Sequence, residues 1–158
     1  VQSLVGSEMC IRDRLKNWQV VHLTGKGHTG ENKVHPDYHS LEFVEHGMGD
    51  LLARSDLVIT RAGMGILGEL SVLAKDALVI PMAGTHQENN MDVLVKKDSV
   101  FQADPDLFKE PIDENWKQFF NNFKPGPMGE KLHQVWSGPG NQALSAMVLS
   151  CIEKKLRN

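Results

Sequence analysis

Short apolar runs alternate with amphipathic stretches along most of the chain. Residues 18–24, 56–60 and 77–82 are rich in β-branched and aliphatic side chains, which predicts buried strands. Two shorter runs, residues 41–44 and 100–103, predict further strands. Because most of these runs are apolar throughout and do not alternate with polar residues, they are typical of a parallel sheet covered by helices on both faces.

Helical periodicity appears between and after the strands. The predicted helices cover residues 48–54, 65–75, 86–97, 114–123 and 140–156. Residues 28–40 are polar, contain Pro36 and lack a 3.6-residue period, so they predict a loop or an irregular crossover, and residues 124–127 (KPGP) end the fourth helix. The sequence therefore predicts one α/β domain, a Rossmann-like open parallel sheet whose ligands bind beyond the carboxyl ends of the strands.

Composition supports a single compact domain. The chain has 158 residues, of which 41% are hydrophobic and 23% charged, and a formal net charge of -3. Its pI near 6.2 gives no general electrostatic reason to expect a nucleic acid partner. No apolar run approaches the length of a membrane-spanning helix. The two cysteines, Cys10 and Cys151, are too few for a disulfide framework, which favours a cytoplasmic location.

The first fourteen residues are set apart from the rest. Residues 1–14 (VQSLVGSEMCIRDR) lack the features of a signal peptide, and the string resembles translated sequencing-adapter sequence. A genuine helix entry at Ser7 or Glu8 is the alternative. We therefore expect residues 1–14 to be non-native and residues 15–158 to form a partial domain.

The glycine pattern G-x-G-x-x-G occurs twice. Gly25, Gly27 and Gly30 follow a predicted strand, but no amphipathic helix comes after them, so a turn-rich loop is the simpler interpretation. A P-loop requires a glycine five positions before Gly25, where Val20 stands, and this excludes a nucleoside triphosphate site of that kind.

The second glycine pattern has the better structural context. Gly63, Gly65 and Gly68 lie between a predicted strand and an amphipathic helix, as in an NAD-dependent oxidoreductase. Two residues, Arg61 and Ala62, separate the strand from the first glycine, and the next strand ends without an acid to bind a ribose. The NAD-dependent alternative stays open, and so does a glycine turn that serves helix packing alone.

Two segments resemble a known family when they are taken together. Residues 55–63 (SDLVITRAG) lead to Glu69, and Pro81 leads to residues 86–90 (HQENN). This combination resembles the carboxyl-terminal domain of MurG-type glycosyltransferases, bacterial enzymes that add N-acetylglucosamine to undecaprenyl-linked muramyl peptide. Two upstream pieces, residues 24–26 (TGK) and 42–44 (EFV), agree with the family in order.

The resemblance implies a role for each matching residue. Glu69 corresponds to an acid that binds the ribose hydroxyls of UDP, and Phe43 and Val44 to the uracil position. The remaining assignments are the sugar hydroxyls of N-acetylglucosamine for Gln87, His86 and Asn90, and the diphosphate for Arg61, Gly63 and Gly65. Simpler alternatives remain: a solvated carboxylate for Glu69, core packing for Phe43, an N-cap or helix-surface role for Gln87, His86 and Asn90, and a structural ion pair for Arg61. Gly65 and Ile66 depart from the residues that the family favours there.

The resemblance also implies what lies outside this chain. MurG-type enzymes have two Rossmann-like halves (a GT-B fold), and the acceptor site and general base belong to the other half. The family's first strand, with its glycine-rich turn, would precede residue 15, which leaves an exposed sheet edge. We expect an inverting hexosyltransferase in which this part binds UDP-N-acetylglucosamine and is inactive alone.

Further expectations concern partners and alternatives. The resemblance implies no cofactor, a lipid-linked acceptor reached through the other half, and a full-length protein that is peripheral on the cytoplasmic face of the membrane. No metal site is predicted, because the histidines lack metal-like spacing. Two other readings remain: a eukaryotic lipid-linked chitobiose transferase subunit, which is a close variant of the main hypothesis, and a non-catalytic nucleotide-sugar binding module.

Overall fold

A computed structural model describes residues 17–27, 36–104 and 114–136. The strands in these ranges are β1 (Val20–Leu23), β2 (Tyr38–Leu41), β3 (Val58–Thr60), β4 (Ala77–Val79) and β5 (Phe101–Gln102). The helices are α1 (Met48–Arg54), α2 (Met64–Val72), α3 (His86–Lys96), α4 (Glu114–Asn122) and α5 (Pro127–Val135). Predictions for residues 1–14, for residues 28–35 and for the helix at residues 140–156 lie outside the described residues.

All strand pairs in the described ranges are parallel. β1 pairs with β2, with Val20 opposite Tyr38, and β4 lies between β3 and β5. The predicted parallel α/β architecture is therefore confirmed. The expectation of one continuous sheet differs from what is observed, because no described strand lies between β1 and β3 and the strands form two hydrogen-bonded sheets.

Two predicted elements need correction. The strand predicted at residues 41–44 lies at Tyr38–Leu41 and so takes up the last three residues of the predicted loop, because pairing with β1 overrides the polar character of His39 and Ser40. The helix α5 was not predicted at all. The prolines and glycine that end α4 also start α5, with Pro127 in its first turn, where a missing N–H costs nothing.

Two groups of buried side chains form the core. The first lies around α2, α3 and α5 and includes Leu67, Leu70, Leu94 and Leu132. In the second, the aromatic stripe of α4 packs against β4 and β5, and Trp18 also donates a hydrogen bond to the carbonyl oxygen of Phe120 at 3.2 Å. Trp116, Phe119, Phe120 and Phe123 recur at helical spacing in the sequence, which predicts that this stripe belongs to the core, and the structure confirms the prediction.

A buried carboxylate and a serine position α5 beside α2 and the residues that follow it. Asp76, which precedes β4, is only 2% exposed and accepts hydrogen bonds from the N–H groups of Gly126, at 2.7 Å, and Gly129. It thereby supplies the cap that Gly126 cannot supply from a side chain of its own. Ser71 of α2 donates to the carbonyl oxygen of Leu132 at 3.2 Å. These contacts fix the position of α2, the helix that carries Glu69.

Candidate functional site

The candidate residues follow the carboxyl ends of three strands. Phe43 and Val44 come after β2, Arg61 and Gly63 come after β3, and residues 86–90 open the helix that follows β4. Parallel strands within one sheet place such segments at the same edge, and this is where α/β proteins bind ligands. The fold therefore places each group at an edge suited to binding.

The turn from β3 into α2 leaves the first N–H groups of that helix without a side-chain cap. Gly63 is the N-cap residue and has extended backbone angles, φ -78° and ψ 134°. A Cβ placed at Gly65 or Gly68 would have no neighbouring atom within 4 Å. Packing therefore does not require glycine at positions 65 and 68, which removes the helix-packing explanation there. Open space beside uncapped N–H groups suits the approach of an anion.

Arg61 lies beside this turn. Its side chain is half-buried and has no hydrogen bond or ion pair with any other residue that the structure describes. The alternative of a structural ion pair is therefore not found within the described ranges. A guanidinium without a carboxylate partner is available for a negatively charged ligand such as a diphosphate.

A hydrogen bond joins the two segments that carry the resemblance. Asn90 of α3 is half-buried, and its Nδ2 donates to the carbonyl oxygen of Ala62 at 2.9 Å. Ala62 itself is fully buried. The amide of Asn90 thus fixes the turn between Arg61 and Gly63 against the first turns of α3, which brings the candidate diphosphate and sugar segments together.

Gln87 and Thr85 organise the start of α3. Thr85 is the N-cap: its Oγ1 accepts from the N–H of Gln87 at 3.2 Å and donates to the carbonyl oxygen of Met82 at 2.7 Å. The side-chain oxygen of Gln87 accepts from the N–H of Met82 at 3.2 Å. Sequence reasoning missed Thr85, although a threonine directly before a helical pattern is a recognised cap signal.

His86 is exposed at the first position of α3. Its ring has no hydrogen bond with another described residue. Gln87 and Asn90 differ from His86, because each of their side-chain amides uses one polar atom in a hydrogen bond within the fold. A helix-surface role therefore describes these two residues only in part. The side-chain nitrogen of Gln87 and the ring of His86 remain available to a ligand.

Glu69 borders an open groove of about 500 Å³ between α1 and α2. The carboxylate is exposed and has no hydrogen bond or ion pair within the described part of the chain. The other lining residues are apolar or glycine: Met48, Gly49, Leu52, Gly68, Val72 and Leu73. The two carboxylate oxygens of Glu69 can accept hydrogen bonds beside an apolar surface, which suits a ligand with vicinal hydroxyls on an apolar body.

Phe43 is not a core residue. Its side chain is 59% exposed, so the core-packing alternative is wrong, whereas Val44 is half-buried. The ammonium of Lys26 lies 4.8 Å from the centroid of the Phe43 ring. Among the described residues, the segment 43–44, where the resemblance predicts uracil, is not joined by hydrogen bonds to Arg61 or Glu69.

The described ranges contain no cluster of metal ligands and no helix suited to cross a membrane. No group of three or more His, Cys, Asp or Glu residues there has the geometry of a metal site. None of the helices found there has both the length and the apolar character that crossing a membrane requires.

Comparison with known proteins identifies the family. The sequence pattern of the glycosyltransferase family 28 C-terminal domain matches residues 3–115. The chain belongs to this family. The α/β fold with parallel strands is accordingly that of the family 28 C-terminal domain. The match also favours a glycosyltransferase over the NAD-dependent oxidoreductase suggested by Gly63, Gly65 and Gly68.

Curated relatives in the family share one name, UDP-N-acetylglucosamine--N-acetylmuramyl-(pentapeptide) pyrophosphoryl-undecaprenol N-acetylglucosamine transferase. The protein from Clostridium perfringens is 26% identical over 141 residues, which cover 79% of this chain and 39% of the relative. The protein from Nostoc punctiforme is 29% identical over 96% of this chain and 45% of the relative. The protein from Crocosphaera subtropica is 37% identical over 60% of this chain and 29% of the relative.

The chain spans less than half the length of these curated relatives. No solved structure matches the chain.

Proposed function

We propose that this chain is the donor-binding part of an N-acetylglucosaminyltransferase of peptidoglycan synthesis. The family match and the shared name of the relatives support this function. The observation that carries it is the hydrogen bond from Asn90 to Ala62, which holds the half-buried Arg61 next to the start of α3. Among the described residues, Arg61 has no hydrogen-bond or ion-pair partner. An arginine and a set of amide groups on adjacent turns suit a sugar diphosphate.

The proposed donor is UDP-N-acetylglucosamine. Glu69 accepts hydrogen bonds from the ribose hydroxyls, and Phe43 and Val44 bind the uracil. Arg61 and the N–H groups after Gly63 bind the diphosphate, with Gly65 leaving room for it. The sugar hydroxyls contact Gln87, His86 and the side-chain oxygen of Asn90.

The proposed reaction is a direct displacement with inversion at the anomeric carbon. The acceptor hydroxyl oxygen forms the new bond to that carbon while the bond to the UDP oxygen breaks. A general base in the acceptor-binding half takes the hydroxyl proton. The residues of this chain orient the donor, and Arg61 and the start of α2 stabilise the negative charge that develops on the departing UDP.

The same proposal includes the rest of the protein. The lipid-linked acceptor binds through the other half, and the full-length protein is cytoplasmic and peripheral on the inner face of the membrane. No cofactor, metal ion or nucleic acid takes part. Residues 15–158 belong to the partial donor-binding domain, and the domain alone does not transfer sugar.

An additional parallel strand between β1 and β3 belongs to this proposal. Val20 and Thr24 donate to the backbone of β2 and its flanks, so the alternate residues Val21 and Leu23 direct their N–H groups to the opposite edge of β1. Their side chains are also exposed. An order of β2, β1, an added strand, then β3, β4 and β5 is that of a doubly wound sheet.

The test is sugar transfer by the full-length protein. The unmodified protein is expected to move N-acetylglucosamine from UDP-N-acetylglucosamine to a lipid-linked muramyl-peptide with inversion, as measured by nuclear magnetic resonance of the new linkage. The variant Glu69→Gln is expected to raise KM for the donor about tenfold, because an amide replaces a charged acceptor of two hydroxyls.

The matched control is Glu130→Gln on α5, which removes an exposed carboxylate away from the groove and is expected to leave KM unchanged. Donor binding without any transfer by the full-length protein would indicate a non-catalytic binding module. An unchanged KM in Glu69→Gln would remove the role assigned to Glu69.

A further inference from the structure

The loop after β1 and the segment after β2 form one hydrogen-bonded unit. The N–H of Thr24 donates to the carbonyl oxygen of Leu41 at 2.9 Å, and the N–H of Gly25 donates to that of Glu42 at 3.1 Å. The N–H of Gly27 donates to a carboxylate oxygen of Glu42 at 3.3 Å. These three bonds fix the loop relative to the residues that follow β2.

The glycines of this loop are needed for its shape. Gly25 and Gly27 have φ angles of 91° and 79°, in the left-handed region that disfavours other residues. The pattern Gly25-Lys26-Gly27 therefore makes a tight turn that presents one side chain between two glycines. No dinucleotide fingerprint is required to explain it.

The side chain presented in this way is that of Lys26. Its ammonium lies 4.8 Å from the centroid of the exposed Phe43 ring. It forms no ion pair with any residue in the described part of the chain. Glu42, the nearby acid, instead uses a carboxylate oxygen to accept from Gly27. A cation–π contact at an exposed site is weak, so the ammonium is easily transferred to a stronger partner.

We propose that Lys26 binds a phosphate group of the nucleotide whose base stacks on Phe43. This inference rests on the proposed function. It adds a second phosphate-binding cation, carried by the loop after β1, to the one that Arg61 supplies after β3. The ligand class is a pyrimidine nucleoside diphosphate. On binding, the ammonium exchanges its contact with the ring for a charge-assisted hydrogen bond to a phosphate oxygen, which is the stronger interaction.

The geometry gives this assignment a reason beyond charge alone. The base and the phosphates of one nucleotide are covalently linked. If Lys26 is held at a fixed position relative to the Phe43 ring, it is therefore also at a fixed position relative to the phosphates of a base stacked on that ring. The loop hydrogen bonds to the segment 41–42 supply this coupling. Lys26 and Phe43 thus act as one recognition unit for base and phosphate.

The experiment compares two ligands that differ in phosphate. UDP and uridine are titrated by calorimetry into the unmodified chain, Lys26→Met and Lys26→Arg, at low and at high salt. Methionine is unbranched and only one atom shorter than lysine, and it removes the charge. Lys26→Met is expected to bind UDP roughly tenfold more weakly and uridine with unchanged affinity, and to lose part of the salt dependence of UDP binding. Lys26→Arg is expected to restore most of the affinity for UDP.

The control variant is Lys97→Met, at the exposed end of α3 away from the strand ends. It is expected to bind both ligands like the unmodified chain. Equal UDP affinity in Lys26→Met and the unmodified chain would overturn the role of Lys26 and leave the proposed function intact. An equal loss for UDP and uridine would also overturn it, since Lys26 would then act through the ring. If the unmodified chain binds neither UDP nor UDP-N-acetylglucosamine, the proposed function itself fails.

Discussion

Two phenylalanines, one proposed to bind ligand and one in the core, differ sharply in exposure. Phe43 and Phe120 are the same residue type in segments that both looked apolar in the sequence, yet Phe43 is 59% exposed and Phe120 is 5% exposed. Sequence patterning predicted the buried stripe of α4 because four aromatic residues repeat at helical spacing. It left Phe43 undecided, since the strand predicted at residues 41–44 is too short to show which side chains face the core.

This difference gives a prediction on stability and binding. Phe43→Ala is expected to leave the unfolding temperature unchanged and to weaken uridine and UDP binding by a similar factor, because only ligand contacts are lost. Phe120→Ala is expected to lower the free energy of unfolding by about 3 to 5 kcal/mol, the range for truncating a buried aromatic residue. Thermal unfolding and calorimetry measure the two effects. A clear loss of stability in Phe43→Ala would contradict its assignment to a binding surface.

Hydrogen-bond partners were the part of the site that the sequence could not supply. The motif order predicted that Arg61, Gly63, Gln87 and Asn90 belong together, and the bond from Asn90 to Ala62 brings their segments together in the fold. That bond spans 28 positions along the chain. No local pattern indicates which amide atoms are used within the fold and which stay available to a ligand.

Element boundaries followed local sequence where packing agreed with it. The helix at Met48–Arg54 was predicted with the observed limits, and α3 within one residue. β2 shifted by three residues toward the amino terminus, because its position depends on pairing with β1. The helix α5 escaped detection, because its start coincides with the break after α4 and its cap is provided by Asp76, far away in sequence.

The packing of α5 on the segment after α2 gives a prediction with an internal control. A Cβ at position 129 would lie 2.1 Å from the carbonyl oxygen of Ala74, so Gly129→Ala forces the helix away from its neighbour. We expect a loss of at least about 2 kcal/mol in the free energy of unfolding. At Gly68, inside α2, a Cβ meets no atom within 4 Å, and Gly68→Ala is expected to stabilise the protein by about 0.5 to 1 kcal/mol.

Chemical denaturation of the two variants measures both effects. Opposite signs are the expected result. Destabilisation of equal size at both positions would mean that the close approach at Gly129 is not what makes glycine necessary there.

At the scale of the whole molecule, the main feature is that the described strands form two separate hydrogen-bonded sheets. Parallel strands and their order follow from alternating elements in the sequence, but the gap between β1 and β3 follows only from which strands pair. If an added strand fills this gap, a chain that carries the preceding segment of the full-length gene in place of residues 1–14 is expected to unfold at a higher temperature.

An extension of the same length made of glycine and serine is the control, because it cannot supply an apolar strand. Equal unfolding temperatures for the two extended chains would argue against an added strand. A higher temperature for the natural extension alone would support the order β2, β1, added strand, β3.

Donor binding by the described domain is the central claim, and a titration tests it most directly. The purified chain is titrated with UDP-N-acetylglucosamine, and UDP and NAD are then used as competitors. Saturable binding of the sugar nucleotide, displaced by UDP and unaffected by NAD, is the predicted result. Displacement by NAD, or failure of a folded chain to bind either uridine nucleotide, would contradict the account.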